Sequence, residues 1–331
     1  MSYGSAIRDP LRYGFAVGRV RVLETQLLKR SHYERLLDAA DFDEQRRILS
    51  ETGYGAYLEG AECAEDVERG LDRVLADLQR DFLGSANLPA AVVAFFRVRE
   101  DYDELRGLLK AEALGLPAAE LLSGAGSISA EDFATGRLPA PLAEALRTIR
   151  SQASDEDGEL RIELIDPVVD AALYHESAAL AAQSRNEYMR ELARVSADLV
   201  NVKVFVRTRV KGLTVADAQR FFVDGGTIPH SRLVSLFRLP AEEAASRLVA
   251  SGPLRGIDPE ALFDPGRFDV VADTVIVRQL RRARMVAVGP EPVVAYILLR
   301  RAEIATVRTL LIGKLAGVSR DVLRSRLRDV G

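Results

Sequence analysis

Three pairs of acidic residues and three basic residues recur along the sequence at regular distances, and they are the groups best placed to do chemistry. Two carboxylates four residues apart share one face of a helix, where a general acid and a general base could act together. Recurrence in three places instead favours an architectural role, in which each acid pair binds the basic residue of its own repeat. Partner binding is the second alternative and catalysis the third. The acid pairs are Glu68/Asp72, Asp166/Asp170 and Asp269/Asp273, and the basic residues are Arg106, Lys203 and Arg308.

The sequence has none of the common patterns for a catalytic or metal centre. Its three histidines do not stand in a zinc-binding H-E-x-x-H spacing. Gly313-Lys314 is followed by leucine, whereas a phosphate-binding loop would have serine or threonine there. We therefore expect no catalytic residue, no cofactor, no nucleotide site and no metal site.

A repeated helix positions the basic residues. The segments Asp101–Leu116, Asp198–Leu213 and Glu303–Val318 align without a gap, with an acid first and the basic residue sixth. Apolar residues recur in steps of three and four, which predicts one buried helix face in each copy. The fifteenth residue is Gly115, Gly212 or Gly317, where a helix often ends in a left-handed glycine.

The acid pairs belong to a second block, which precedes each repeated helix. The distance from the second acid of this block to the first acid of the next helix is 29, 28 and 30 residues in the three copies. A weaker echo follows, since Gly126-Ser127-Ile128 recurs as Gly226-Thr227-Ile228. These repeats predict three helical modules, at 1–124, 125–226 and 227–331. The expected fold is all-α, with three similar modules in a pseudo-threefold body, either a closed funnel or an open arc.

Composition restricts the function classes. The 331 residues are 48% hydrophobic and 28% charged, with a net charge of −4, so a nucleic-acid partner is not expected. No apolar run is long enough to span a membrane, and the single cysteine cannot form an internal disulfide. We therefore expect a cytoplasmic protein that acts through protein partners.

Three stretches resemble a known family. They are Tyr13–Leu28, Asp41–Leu58 and Gly289–Val318, and the last places proline-glutamate-proline before an apolar helix and the acid-to-glycine block. In these stretches the chain resembles the C subunits of the bacterial and archaeal A/V-type ATPases, which are relatives of the eukaryotic d subunit. The middle module departs most, because Pro167 lies inside its acid block and leaves that helix start open.

The resemblance implies a function that the residues alone do not give. Members of the family cap the membrane proteolipid ring on its cytosolic face and receive the D and F subunits of the central stalk. They hold no nucleotide, and they couple ATP hydrolysis or synthesis to ion transport. A free-standing helical adaptor is the alternative from another class, and an all-helical enzyme is the third.

Two segments combine aromatic anchors with surrounding charge, which is typical of a protein interface. The alternative is that their aromatic residues are ordinary core between modules. The candidate contact residues are Tyr13, Phe15, Arg19, Arg21, Glu24, Glu291, Tyr296, Arg300 and Arg301.

Overall fold

The computed structural model describes residues 11–83, 88–117 and 126–327. The structure is 74% helical and has no strand in these ranges, which confirms the all-α prediction. Short 3₁₀ turns at Gly252–Leu254 and Arg282–Met285 accompany the α-helices. The α-helices are α1 Leu11–Glu24, α2 Arg30–Asp38, α3 Phe42–Ser50, α4 Gly55–Leu58, α5 Ala64–Leu83, α6 Ala90–Leu114, α7 Ala130–Thr135, α8 Ala140–Ala153, α9 Ile162–Gln183, α10 Glu187–Val210, α11 Val215–Gln219, α12 His230–Leu236, α13 Ala241–Val249, α14 Pro259–Leu262, α15 Pro265–Arg281, α16 Glu291–Leu315 and α17 Arg320–Ser325.

The chain forms two compact units. Unit 1 combines Met1–Leu88 with Ala241–Gly331, and unit 2 is Pro89–Pro240. Unit 1 therefore brings both ends of the chain into one body. The division into three modules stays a prediction, and its first boundary, near Gly124, lies outside the described residues.

Unit 1 is organised around α16. This helix packs on α5, α1, α15, α3 and α2. Its repeated stripe places Ile304, Val307 and Leu311 in the core, where Val67 and Leu71 of α5 are also buried. Burial of each such side chain stabilises the fold by about 1.5–3 kcal/mol, so the three-and-four spacing fixes which face of α16 turns inward.

Unit 2 is organised around α9, which packs on α6, α8 and α10. Tyr102, Leu105 and Leu109 of α6 join Ile165 and Val169 of α9 in one core cluster. The helix start that Pro167 left open is at Ile162, so this proline lies inside α9. Proline provides no N–H for the helical ladder, and the acid block continues through it.

The three repeated glycines end their helices, at the position that the sequence predicts. Their φ angles are 64° at Gly115, 68° at Gly212 and 68° at Gly317. The residue after each glycine donates its N–H to the carbonyl five residues back, which closes the helix end with a Schellman bond. These bonds are Leu116 to Ala111 at 2.9 Å, Leu213 to Thr208 at 2.9 Å and Val318 to Gly313 at 2.8 Å.

Two expectations about the helices need correction. The sequence predicts an N-terminal helix over Tyr13–Leu28, but α1 ends at Glu24, because tight turns follow and the Leu28 N–H bonds to Glu303. The sequence also predicts that the repeated stripes are buried throughout. Their last positions are instead exposed at Leu116, Leu213 and Leu315, since the final turn of each helix is left uncovered.

Candidate functional site

The first acid of each repeated helix binds a loop, and we call these three contacts the loop clamps. Each clamped loop leads directly into a short helix: α7, α12 or α2. The carboxylate accepts the N–H of a loop residue, which fixes the loop beside the long helix. The bonds are Ser127 N to Asp101 at 2.6 Å, Ile228 N to Asp198 at 2.8 Å and Leu28 N to Glu303 at 2.5 Å.

The sequence contains both halves of the first two clamps as separate repeats, and sequence reasoning did not join them. The serine and threonine of the Gly-Ser-Ile and Gly-Thr-Ile echoes give a second bond, from Ser127 Oγ to Asp101 at 2.8 Å and from Thr227 Oγ1 to Asp198 at 2.5 Å. A Cβ on Gly226 would collide with the Asp198 carboxylate, so the echo needs a glycine there. The usable signal is the common spacing between each acid and its glycine.

The clamp at Glu303 is a buried charge cluster. Glu303 pairs with Arg300, and the Tyr54 hydroxyl donates to its Oε1 at 2.9 Å. The Arg300 guanidinium lies 4.4 Å from the centre of the Tyr54 ring. Burial raises the pKa of the Glu303 carboxyl, with Arg300 acting in the opposite direction. Burial also raises the pKa of Tyr54 well above its usual value. The cluster joins α16 to the segment that precedes α2.

Several candidate contact residues lie inside unit 1. Tyr296 is buried, with its ring centre 5.5 Å from that of Phe82. Glu291 is also buried, and the Arg19 guanidinium lies over the Phe82 ring at 5.1 Å. This placement corresponds to the alternative of core packing that the sequence left open for the aromatic residues. Tyr13 and Arg301 are half-buried, and their role in partner contact stays a prediction.

Phe15 is the exposed member of the candidate set. Its side chain is 78% exposed, and Val22, seven residues later on the same face of α1, is 61% exposed. The Arg21 guanidinium pairs with Glu24 and donates to the carbonyl of Val286 at 2.8 Å, which ties α1 to the turn that carries Met285. Met285 is 89% exposed. We call Phe15, Val22 and Met285 the α1 patch.

The acid pairs and basic residues do come together, but across the predicted modules. Arg308 binds Glu68 at 2.7 Å and Asp72 at 3.1 Å, which links α16 to α5. The expectation that each basic residue pairs within its own module is therefore wrong for this residue.

The second cluster shows the same arrangement. Arg106 binds Asp170 at 2.5 Å and reaches Asp166 at 3.3 Å, which links α6 to α9. Within-module pairing is wrong here too, because the helix face of each base meets the acid block of another repeat. Lys203 belongs to unit 2, whereas Asp269 and Asp273 belong to unit 1.

Residues 11–83, 88–117 and 126–327 contain neither a metal-binding cluster nor a membrane span. No group of three or more His, Cys, Asp or Glu side chains in these ranges is arranged to hold a metal ion. No helix in the same ranges combines the length and the apolar character that crossing a bilayer requires.

The repeated polar groups join helices and loops to one another, which is typical of a helical scaffold protein. The sequence profile of the ATP synthase (C/AC39) subunit family matches residues 16–326. The chain therefore belongs to this family, whose members are subunits of V-type and A-type ATPases.

Three relatives illustrate the similarity. The C subunit of the V-type ATP synthase of Thermus thermophilus is 30% identical over 65% of this chain and 68% of its own length. The C subunit of the V-type sodium ATPase of Enterococcus hirae is 23% identical over 94% and 96% of the two chains. The C subunit of the A-type ATP synthase of Methanocaldococcus jannaschii is 21% identical over 96% and 87%.

Proposed function

We propose that this chain is the non-catalytic central-rotor component of a V/A-type rotary ATPase. In this role it caps the membrane proteolipid ring, receives the D and F subunits of the central stalk, and couples ATP hydrolysis or synthesis to ion transport. It would lie on the cytosolic face of the membrane, bound through the complex. The observation that carries the proposal is the family match, which runs through both units rather than through one of them.

The internal use of the charged groups supports a non-catalytic role. The acid pairs of α5 and α9 are engaged by Arg308 and Arg106. A carboxylate held by a guanidinium is stabilised in its charged form and is a poor general acid near neutral pH. These residues are therefore better suited to holding helices together under load than to proton transfer.

The α1 patch supports a partner contact in unit 1. Exposed phenylalanine, valine and methionine side chains beside arginines have the character of interface anchors with a charged rim. We propose that Phe15 and Met285 are the apolar anchors, with Arg19 and Arg21 at the rim. Arg284, exposed beside Met285, adds a further cation.

Co-purification tests the function directly. An affinity tag on this chain should recover the proteolipid and the D and F subunits from detergent-solubilised membranes. Recovery of the chain without them would favour the free-standing adaptor instead.

Substitution in the α1 patch tests the contact surface. Phe15→Glu combined with Met285→Glu should reduce recovery of the partner subunits at least tenfold, with unchanged helicity by circular dichroism. Val322→Glu is the matched control, because Val322 is also exposed in unit 1 but lies on α17. Full assembly and coupling in the double variant would exclude this surface.

A further inference from the structure

Unit 2 contains an open groove that the loop clamps and charge clusters do not use. It lies between α8 and α9, has a volume of about 590 Å³, and has Tyr102 of α6 among its lining residues. Its apolar lining includes Ala145, Ile149, Ala172 and Leu180. Small alanine side chains leave space for another backbone to approach closely.

The groove also carries acidic charge without a basic partner. Glu144 and Glu176 line it, and in the described part of the chain neither forms an ion pair with arginine or lysine. Glu176 accepts the Tyr102 hydroxyl at 2.8 Å, a neutral donor that leaves its charge uncompensated. The acids of α5 and α9 are paired with arginines, so the groove differs from the rest of its surroundings. Two uncompensated carboxylates beside an apolar floor attract a cationic, partly apolar ligand.

The dimensions of the groove fit a helix. Its lining on α8 runs from Pro141 to Gln152 in steps of three and four, and on α9 from Val168 to Gln183. At 1.5 Å per residue, the α8 side is roughly 16 Å long, about three helical turns. A helix can therefore lie along the floor with successive turns in contact, as in helix-in-groove recognition.

We propose that this groove binds an amphipathic helix of a partner protein, with apolar residues on the floor and Lys or Arg side chains at Glu144 and Glu176. The inference rests on the proposed function only in taking the partner from the same ATPase complex. The charge complementarity and the length of the groove select a basic helix over an acidic or extended segment.

Protection from chemical labelling tests the proposal in the intact complex. In a Cys63→Ser background, Thr148→Cys and Gln152→Cys place a thiol in the groove. Arg147→Cys is the control, because Arg147 is exposed on α8 but does not line the groove. Maleimide should label the two groove thiols at least tenfold more slowly in the complex than in the isolated chain, and the control thiol equally fast in both.

Cross-linking then identifies the occupant. A benzophenone maleimide on Gln152→Cys should cross-link to a segment of another protein of the complex with Lys or Arg at three- or four-residue spacing. Equal labelling in both states would overturn the proposal. So would protection in the isolated chain that appears only at high concentration or with added spermidine, since the occupant would then be a second copy or a small cation.

Charge reversal gives an independent readout. Glu144→Lys should abolish the protection and weaken the association at least tenfold, and Glu144→Gln should have a smaller effect. Glu156→Lys, at an exposed acid after α8, makes the same change in net charge and should leave both unchanged. Equal effects of Glu144→Lys and Glu156→Lys would reject a groove-specific contact. If the unmodified chain recovers no ATPase component at all, the proposed function fails, which is a separate result.

Discussion

The loop clamps of the two units solve the same problem with different groups. Glu303 in unit 1 and Asp198 in unit 2 are both buried, and each holds the loop that enters a short helix. Asp198 is bound by neutral donors, the Ile228 N–H and the Thr227 hydroxyl. Glu303 shares its site with the buried Arg300. Clamps at matching repeat positions therefore differ in how much buried charge depends on them.

Removing the carboxylate of Glu303 should have the largest effect. Glu303→Ala leaves the Arg300 guanidinium without its counter-charge and removes the acceptor of Leu28 N and the Tyr54 hydroxyl. Loss of one partner of a buried ion pair destabilises a fold by about 3–5 kcal/mol. Urea unfolding of the purified chain measures this difference. Glu303→Gln is the control and should lose less, because its amide oxygen still accepts a hydrogen bond.

Removing Asp198 should have a smaller effect. Asp198→Ala loses hydrogen bonds to a charged acceptor, which are worth about 1.5–3 kcal/mol, but leaves no buried cation behind. Asp101→Ala should cost less still, because water can reach the Ser127 donors of that clamp. The same urea titration orders the three variants. An equal loss for Glu303→Ala and Asp198→Ala would show that Arg300 does not distinguish the two clamps.

Alanine at the helix-ending glycines should cost about 1 kcal/mol at each of the three sites. A Cβ at Gly115, Gly212 or Gly317 would meet no atom within 4 Å, so only the positive φ opposes it. The three losses should therefore be nearly equal in both units. Gly18→Ala, in the interior of α1 with open space around it, is the control and should stabilise the chain by about 0.5–1 kcal/mol. A loss confined to one glycine would contradict the equivalence of the repeats.

The charge clusters should contribute least. Arg308 and its acids are about one-third exposed or more, so Arg308→Ala should cost about 0–1 kcal/mol. Arg106 is less exposed, at 23%, and binds Asp103 as well as the α9 acids, so Arg106→Ala should cost more. Raising the salt concentration should shrink both losses. A larger loss at Arg308 than at Arg106 would reverse the expected order.

Local features of this protein follow from its sequence alone. The three-and-four spacing of Tyr102, Leu105 and Leu109 specifies a buried face of α6, and glycine at the fifteenth position specifies where that helix ends. Both depend on interactions within one or two helical turns. The spacing of Glu68 and Asp72 likewise places the two acids on one face of α5, where a single arginine binds both.

The partner that each of these faces meets depends on tertiary packing. Arg308 binds acids some 240 residues away, because the last long helix packs in the same unit as the first segments of the chain. The joining of Asp198 to Ile228, the burial of Tyr296 and the exposure of Phe15 follow in the same way from helix packing. Helical periodicity fixes which residues share a face, whereas the identity of the opposing helix depends on how the whole chain closes on itself.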